Sequence, residues 1–279
     1  MICERTSILE YLLIKIKAKK YDSIKLYCSE ILSILLQADA LICNKLCNMN
    51  DTNGVESLLE AISFYRKRDP NGMEEQECIE NIFLCLSSVL ISSSEGQSQF
   101  MELEGFELMI RCLKEQKYAA LCSVRSISYA IINNKIACEK IVNIGGLKYL
   151  FPILMGRGLP KMKKKSTGSL IYDVEQSILS IISQLCIHLH NSNENDSSVR
   201  LLAKFIENGR EKLERCTELY LKYRKQLENT ENELSMTREI LVRQGDEDDL
   251  ELFDETFYKR RLEGIIICLL YTSPSPRDS

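Results

Sequence analysis

Two histidines and one cysteine are the strongest candidates for metal chemistry in this chain. His188 and His190 are its only histidines, and they lie in the segment CIHLH. On a helix, Cys186 and His190 would share one face because they are four residues apart. A structural zinc site takes four ligands, but the neighbouring sequence offers no CxxC and no further histidine. We therefore expect this segment to contribute to packing or to a helix end, and we predict no metal and no cofactor.

Motifs for nucleophilic, metal-dependent or phosphoryl-transfer catalysis are missing from the sequence. No GxSxG, HExxH, GxxxxGK[ST] or GxGxxG occurs. With two histidines, acid–base catalysis would depend on carboxylates, and no pattern pairs the acidic residues into a recognisable site. We predict that the protein is not an enzyme.

The twelve cysteines are better explained as core residues than as disulfides. Most lie at positions of apolar periodicity, where cysteine acts as a small hydrophobic residue, and a chain of 279 residues can build a core without disulfides. The first residues lack the layout of a signal peptide. The longest apolar run, 265–271, is far shorter than the roughly 18 residues of a membrane span. We expect a soluble, intracellular protein with reduced thiols and no membrane partner.

Two charged segments are candidate binding elements. KMKKK supplies Lys161, Lys163, Lys164 and Lys165, which could form a nuclear-localisation or RNA-contacting patch or simply a solvated loop. No aromatic residues that could stack on bases are interleaved with it, and the net charge of −4 excludes a strongly basic nucleic-acid binder. Direct nucleic-acid contact is not expected. DEDDLELFDE predicts an acidic loop over 246–254, which we interpret as a spacer, although it could contribute to binding basic segments.

Helical periodicity dominates the chain and is punctuated by a recurring glycine corner. Gly54, Gly105 and Gly146 each precede apolar residues at +1, +4, +5 and +8, and a looser copy begins at Ser7. A period near 40 to 47 residues in an all-helical chain is typical of armadillo or HEAT repeats. We predict an all-α, armadillo/HEAT-like right-handed superhelical solenoid over 1–156. In this interpretation the glycine marks the turn into the last and longest helix of each repeat, which lines the concave face, and Pro152 bends the fourth copy.

Three glutamates flank the apolar stripes of these helices and are the predicted partner-binding residues. Glu56, Glu60 and Glu107 could face a basic peptide on the concave surface. The alternative for each is an ordinary solvated helix surface.

The remaining chain is predicted in five further segments. A basic linker spans 157–170, and a continued solenoid spans 171–245. The solenoid includes a long helix over 210–243 with an interrupted heptad seam from Leu213 to Leu241, either packed on the solenoid edge or serving as a coiled-coil partner. After the acidic loop, 255–270 begins a further repeat, and 271–279 is predicted to be non-native tail. Because neither end carries a polar capping repeat, we expect an internal fragment of a longer array.

Five segments resemble the nuclear catenin-beta-like family in residues, order and spacing: KLYCSEILSILLQ, EEQECIENIFLCL, IGGLKYLFPILM, RLLAKFIENGREKLERCTELYLKYR and FYKRRLEG. The resemblance runs with few gaps from about residue 7 to about residue 270. It implies an armadillo-type solenoid in the nucleus, association with the spliceosome through the Prp19/CDC5-like complex, and recognition of basic, nuclear-localisation-like segments of splicing partners. Proteins of the family are longer at both ends, which agrees with the fragment interpretation.

The resulting functional prediction is a non-enzymatic protein–protein interaction scaffold in pre-mRNA splicing. A nuclear-transport-type adaptor for basic signals is one alternative, although such armadillo receptors use a ladder of Trp and Asn and this chain has no Trp. A catenin-like adhesion scaffold is the other, and no lipidation or anchor motif supports it. Homo-oligomerisation is left open.

Overall fold

A computed structural model describes residues 7–49, 53–160, 168–189 and 196–244 of the chain. Within these ranges it has thirteen α-helices, one short 3₁₀ turn and no strand, so the predicted all-α fold is confirmed. The helices are α1 Ile8–Ile16, α2 Ser23–Ala38, α3 Ala40–Cys47, α4 Gly54–Ser63, α5 Met73–Ser92, α6 Ser94–Glu102, α7 Gly105–Glu115, α8 Tyr118–Ala130, α9 Lys135–Asn143, α10 Leu147–Leu154, α11 Gly168–Leu189, α12 Asp196–Ile206 and α13 Glu211–Gln244.

The chain divides into two compact units, 1–201 and 202–279. In the first unit the helices recur in groups of three: a long helix, a short helix and a glycine-led helix. The long helices α2, α5, α8 and α11 pack against one another in chain order and form one layer. The glycine-led helices, together with α1, follow one another in a second layer. This side-by-side stacking of like elements is the packing of a helical solenoid.

The glycine-led helices are not the longest of their groups, so this part of the sequence interpretation is wrong. Helices α4, α7 and α10 contain 10, 11 and 8 residues, whereas the long helices of the same groups, α2, α5 and α8, contain 16, 20 and 13. The sequence misleads because a helix with one solvated face shows a clear apolar stripe, whereas a helix buried on most sides does not. In α8, eleven of thirteen residues are buried.

The doubled glycine before α10 meets two separate requirements. Gly145 adopts φ +80°, and a Cβ there would meet nothing within 4 Å, so its role is conformational. Gly146 has ordinary helical angles, but a Cβ would lie 2.6 Å from the carbonyl oxygen of Ile141. A Cβ added at Gly54 or Gly105 would likewise lie 2.6 Å from a preceding carbonyl oxygen, that of Leu46 or Phe100. The recurring glycine therefore marks a close approach of backbone to the preceding helix.

The charged loop between α4 and α5 ties two helical groups together. Asp69 Oδ1 accepts a hydrogen bond from the backbone N–H of Tyr118 at 3.0 Å, which caps the start of α8 from 49 residues away. Its Oδ2 pairs with Lys117 Nζ at 2.9 Å. The hydrogen bond from Lys117 holds the pKa of the Asp69 carboxyl below its usual range, since it stabilises the ionised form.

Lys25 is fully buried, although lysine is rarely found inside a protein. Its Nζ donates to the carbonyl oxygen of Ala18 at 2.7 Å and lies 4.8 Å from the centre of the Tyr65 ring. Burial lowers the pKa of Lys25 because the low-dielectric surroundings disfavour the charged ammonium. The carbonyl and the ring together compensate part of the lost hydration.

Cysteines contribute to the core as the sequence predicts. Eight of the ten described cysteines are buried, the other two are half-buried, and all ten are free. Burial raises the pKa of the Cys122 and Cys138 thiols to about 12 and that of Cys112 to about 11. These thiols are therefore protonated near neutral pH.

The long helix of the second unit, α13, closely matches its predicted span of 210–243. Of the predicted seam residues, Tyr223 is buried as expected, whereas Leu213 is 45% exposed and Leu219, outside the seam, is buried. The acidic loop and the segments beyond residue 244 lie outside the described residues.

Within the described part of the chain, no single helix is long and apolar enough to cross a membrane, although two sharply bent helix pairs pass the same test of length and composition.

Candidate protein-interaction surface

The three glutamates singled out from the sequence lie on the glycine-led layer and do not form one site. Glu56 on α4 is exposed. Glu60 on the same helix pairs with Lys17 Nζ at 2.7 Å. Glu107 on α7 is half-buried and pairs with Lys140 Nζ at 3.1 Å. Two of the three carboxylates are thus neutralised by lysines of the same chain.

A different set of carboxylates lies on the long-helix layer. Glu74, Glu77 and Glu80 follow one another on α5 at intervals of three residues, so they occupy neighbouring positions along the helix. Within the described residues none of the three forms an ion pair with a lysine or arginine. In the part of the chain that the structure describes, these three negative charges are thus without an ion-pair partner, although Lys20 lines the same cleft as Glu74.

Neutral donors hold two of these carboxylates in place. Tyr21 Oη donates to Glu74 Oε2 at 3.2 Å. Tyr118 Oη donates to Glu80 Oε1, which also accepts from Gln76 Nε2 at 3.1 Å. Burial, followed by the hydrogen bond to Glu80, raises the pKa of Tyr118, so the phenol remains a donor at neutral pH. Fixed carboxylates lose less conformational entropy on binding than free ones.

A cleft of about 410 Å³ opens beside Glu74 and supplies concave surface at one end of this row. Glu75, almost fully buried, lies in its wall and is held by Arg68 and by the backbone N–H of Asn71 at 2.7 Å. Arg68 also lies 4.9 Å from the centre of the Tyr65 ring. Because Glu75 is already paired, it shapes the cleft, and Glu74 is the carboxylate available to a partner.

The remaining candidates from the sequence are only partly described. Lys161, Lys163, Lys164 and Lys165 and the ring of His190 lie outside the described residues. His188 Nε2 lies 3.1 Å from Gln184 Oε1 in the same helix. In the ranges that the structure describes, no three metal-ligating side chains cluster.

The α5 carboxylates are not among the residues singled out from the sequence, which predicts the interaction face on the glycine-led helices. The signal was nevertheless present, since EEQECIE places acidic residues at three-residue intervals directly after a loop containing Pro70 and Gly72. What the sequence cannot provide is the distinction between carboxylates that the chain neutralises and those that it does not.

The stacked layers of helices and the recurring glycine corner define an armadillo-type helical repeat protein. Comparison with known proteins narrows this class: residues 1–273 match the model of the family described as "Catenin-beta-like, Arm-motif containing nuclear". The chain belongs to this family of nuclear proteins, as the sequence resemblance predicts.

The curated relatives support the same assignment. The chain is 34% identical over 265 residues to Beta-catenin-like protein 1 of Homo sapiens and of Rattus norvegicus, covering 94% of this chain and 45% of each relative. It is 33% identical over 231 residues to the homolog of Schizosaccharomyces pombe, covering 81% of this chain and 38% of that relative. The chain thus spans less than half the length of these relatives.

Proposed function

We propose that the protein is a non-enzymatic interaction scaffold of a pre-mRNA splicing complex of the Prp19/CDC5-like kind, and that its α5 carboxylates bind basic, nuclear-localisation-like segments of partner proteins. The observation that carries the binding proposal is the row formed by Glu74, Glu77 and Glu80, three carboxylates without a cationic partner in the described residues. Membership of a nuclear Arm-motif family supports the scaffold role.

The spacing of the row suits an extended basic peptide. Glu74 and Glu80 are separated by about 9 Å along the helix axis, from a rise of about 1.5 Å per residue, and by about 120° around it. On a helix about 11 Å across this places them about 13 Å apart, which an extended peptide covers in about four residues. A peptide that binds all three carboxylates therefore crosses α5 obliquely, with basic residues about four positions apart and a further one between them.

The expected affinity is modest and depends on salt. An exposed ion pair contributes about 0.2–1 kcal/mol, so three pairs together change affinity by about 3- to 150-fold. Glu80 is half-buried and lies toward the stronger end of this range. Screening at high ionic strength reduces the contribution of all three.

The binding test uses fluorescence anisotropy with a labelled peptide containing KAKAK, measured on the full chain at low and high salt. Replacing Glu74, Glu77 and Glu80 together by Gln removes three charges while keeping the hydrogen-bond acceptors. The matched control replaces three exposed glutamates of other helices, namely Glu95, Glu102 and Glu115. We expect the α5 variant to bind at least three-fold more weakly and the control to bind like the unaltered chain. Equal losses in both variants would mean that only net charge matters, and unchanged binding would refute the site.

The scaffold role is tested separately by affinity purification from nuclear extract followed by mass spectrometry. Recovery of splicing-complex subunits supports the proposal. Recovery of transport receptors or adhesion proteins in their place would contradict it. The α5 variant in the same experiment tells which partners depend on the carboxylate row.

A further inference from the structure

A second cleft, of about 270 Å³, lies between the long helices α8 and α11. Its lining is polar throughout and includes Arg125, Tyr129, Asp173, Gln176, Ser177 and Ser180. Packing between neighbouring solenoid helices is normally apolar, so an open polar cleft on this layer requires an explanation.

Arg125 is the only cation in this lining, and its side chain has no ion-pair or hydrogen-bond partner among the described residues. Its Nε is buried and makes no hydrogen bond. No carboxylate among the described residues forms an ion pair with its guanidinium, and Asp173, in the same cleft, is no exception. A guanidinium stays charged at all physiological pH values and can only donate. A buried donor without an acceptor costs free energy. A ligand that brings an acceptor to this guanidinium would therefore be stabilised here.

The polar side chains around Arg125 also lack hydrogen-bond partners among the described residues. Gln176, Ser177 and Ser180 make no side-chain hydrogen bond within the described part of the chain, and neither does the phenol of Tyr129. All four can donate to an oxygen ligand. Against these donors stands one carboxylate, Asp173, so the cleft as a whole favours a ligand rich in acceptors.

The charge of the cleft selects among acceptor ligands. Arg125 attracts an oxyanion and Asp173 repels it. Because Arg125 and Asp173 cancel, the cleft gives an anion little net attraction, and the cost of removing the ligand from water decides between them. That cost rises with charge, so a carboxylate with one negative charge enters more easily than a phosphate monoester with nearly two at neutral pH. Arg binds a carboxylate with two parallel hydrogen bonds. An acidic side chain therefore fits better than a phosphorylated one.

We propose that this cleft binds an aspartate or glutamate side chain of a partner protein, with the carboxylate on Arg125 and the hydroxyl and amide groups of α11 around it. This site is distinct from the α5 row and does not depend on the proposed binding of basic segments. A partner that used both would present basic and acidic residues to the same layer.

The test is a nuclear magnetic resonance titration of the full chain with three capped pentapeptides that differ only at the central residue: Glu, Gln or phosphoserine. The Arg125 Nε–Hε signal and the backbone signals of Ser177 and Ser180 are followed. We expect saturable shifts with the Glu peptide, and binding about ten-fold or more tighter than with the Gln peptide, as a charge-assisted hydrogen bond requires. The phosphoserine peptide should bind more weakly than the Glu peptide.

Two arginine substitutions distinguish binding in the cleft from a general effect of positive charge. Arg125→Gln should remove the preference for Glu over Gln at the Ser177 and Ser180 signals. Arg111→Gln, an exposed arginine on α7, is the control and should leave it unchanged. Equal shifts with the Glu and Gln peptides on the unaltered chain would overturn the proposal without any variant. Tighter binding of the phosphoserine peptide would overturn the choice of a carboxylate.

Discussion

The two adjacent glycines before α10 should lose different amounts of stability when each is replaced by alanine or by asparagine, because different physical requirements act at the two positions. At Gly145, alanine must adopt a left-handed conformation that costs about 1–2 kcal/mol, offset by about 0.4–1 kcal/mol because the unfolded chain also loses freedom. The net loss is about 1 kcal/mol. Asparagine tolerates this conformation, so Gly145→Asn should cost only a few tenths of a kcal/mol.

At Gly146 the cost comes from contact and not from conformation. Alanine gains about 0.4–1 kcal/mol there because it lowers the conformational entropy of the unfolded chain. Its Cβ, however, would lie 2.6 Å from the Ile141 carbonyl oxygen and 2.8 Å from Ile141 Cγ1. Because the first neighbour is backbone, the strain lies near the upper end of the usual 1–3 kcal/mol for overpacking. We expect a net loss of about 2 kcal/mol for Gly146→Ala, and at least as much for Gly146→Asn.

Thermal unfolding of the full chain, followed by circular dichroism, measures these differences. For a unit of this size about 1 kcal/mol shifts Tm by about 2–4 °C. Gly145→Asn should therefore be nearly silent, Gly145→Ala should lower Tm by a few degrees, and both Gly146 variants should lower it by about twice as much. A Gly146→Ala variant as stable as the unaltered chain would refute the close-approach reasoning. Equal losses for Ala and Asn at Gly145 would refute the conformational one.

Two further predictions concern the Asp69 cap and the buried thiols. Asp69→Ala should destabilise the protein by about 1 kcal/mol through loss of the α8 cap, as measured by urea unfolding at pH 7. Because the folded pKa of Asp69 lies below its unfolded value of about 3.9, this stabilisation is present above that value. It is lost as the pH falls through the folded pKa, so a difference that persisted undiminished at low pH would contradict the assignment. Cys112, Cys122 and Cys138 should resist iodoacetamide at pH 8 in the folded protein and react in urea, as peptide mass spectrometry would show. Rapid native labelling of these three would contradict their burial.

Local sequence patterns predict the helices of this fold well. The glycine corners mark real helix starts because a missing side chain at a close backbone approach leaves a direct trace in the sequence. The long α13 is equally visible, since no glycine or proline interrupts it. The prediction of which helix is longest in each repeat was wrong. A long inner helix is buried on several sides, so it lacks the apolar stripe that would identify it in the sequence.

Which carboxylates remain available to a partner could not be predicted in the same way. Whether a carboxylate is available depends on partners far along the chain: Glu107 meets Lys140 and Glu60 meets Lys17 across 33 and 43 positions. Such pairs are set by the register between packed helices, which periodicity does not specify. Arg125 illustrates the same limit, because its lack of a partner is a property of the packed layers and not of its neighbours in sequence.

The burial of Lys25 has a consequence for the chemistry of the chain. An acetyltransferase or an amine-reactive reagent needs an accessible, unprotonated amine, whereas Lys25 is fully buried with its nitrogen on the Ala18 carbonyl. Reaction at this nitrogen therefore requires α2 to move away from the Tyr65 ring. Acylation would remove the charge that the Ala18 carbonyl and the Tyr65 ring stabilise, and would prevent the layer from closing again. Lys25 is thus a residue at which a brief opening of the solenoid could be made permanent.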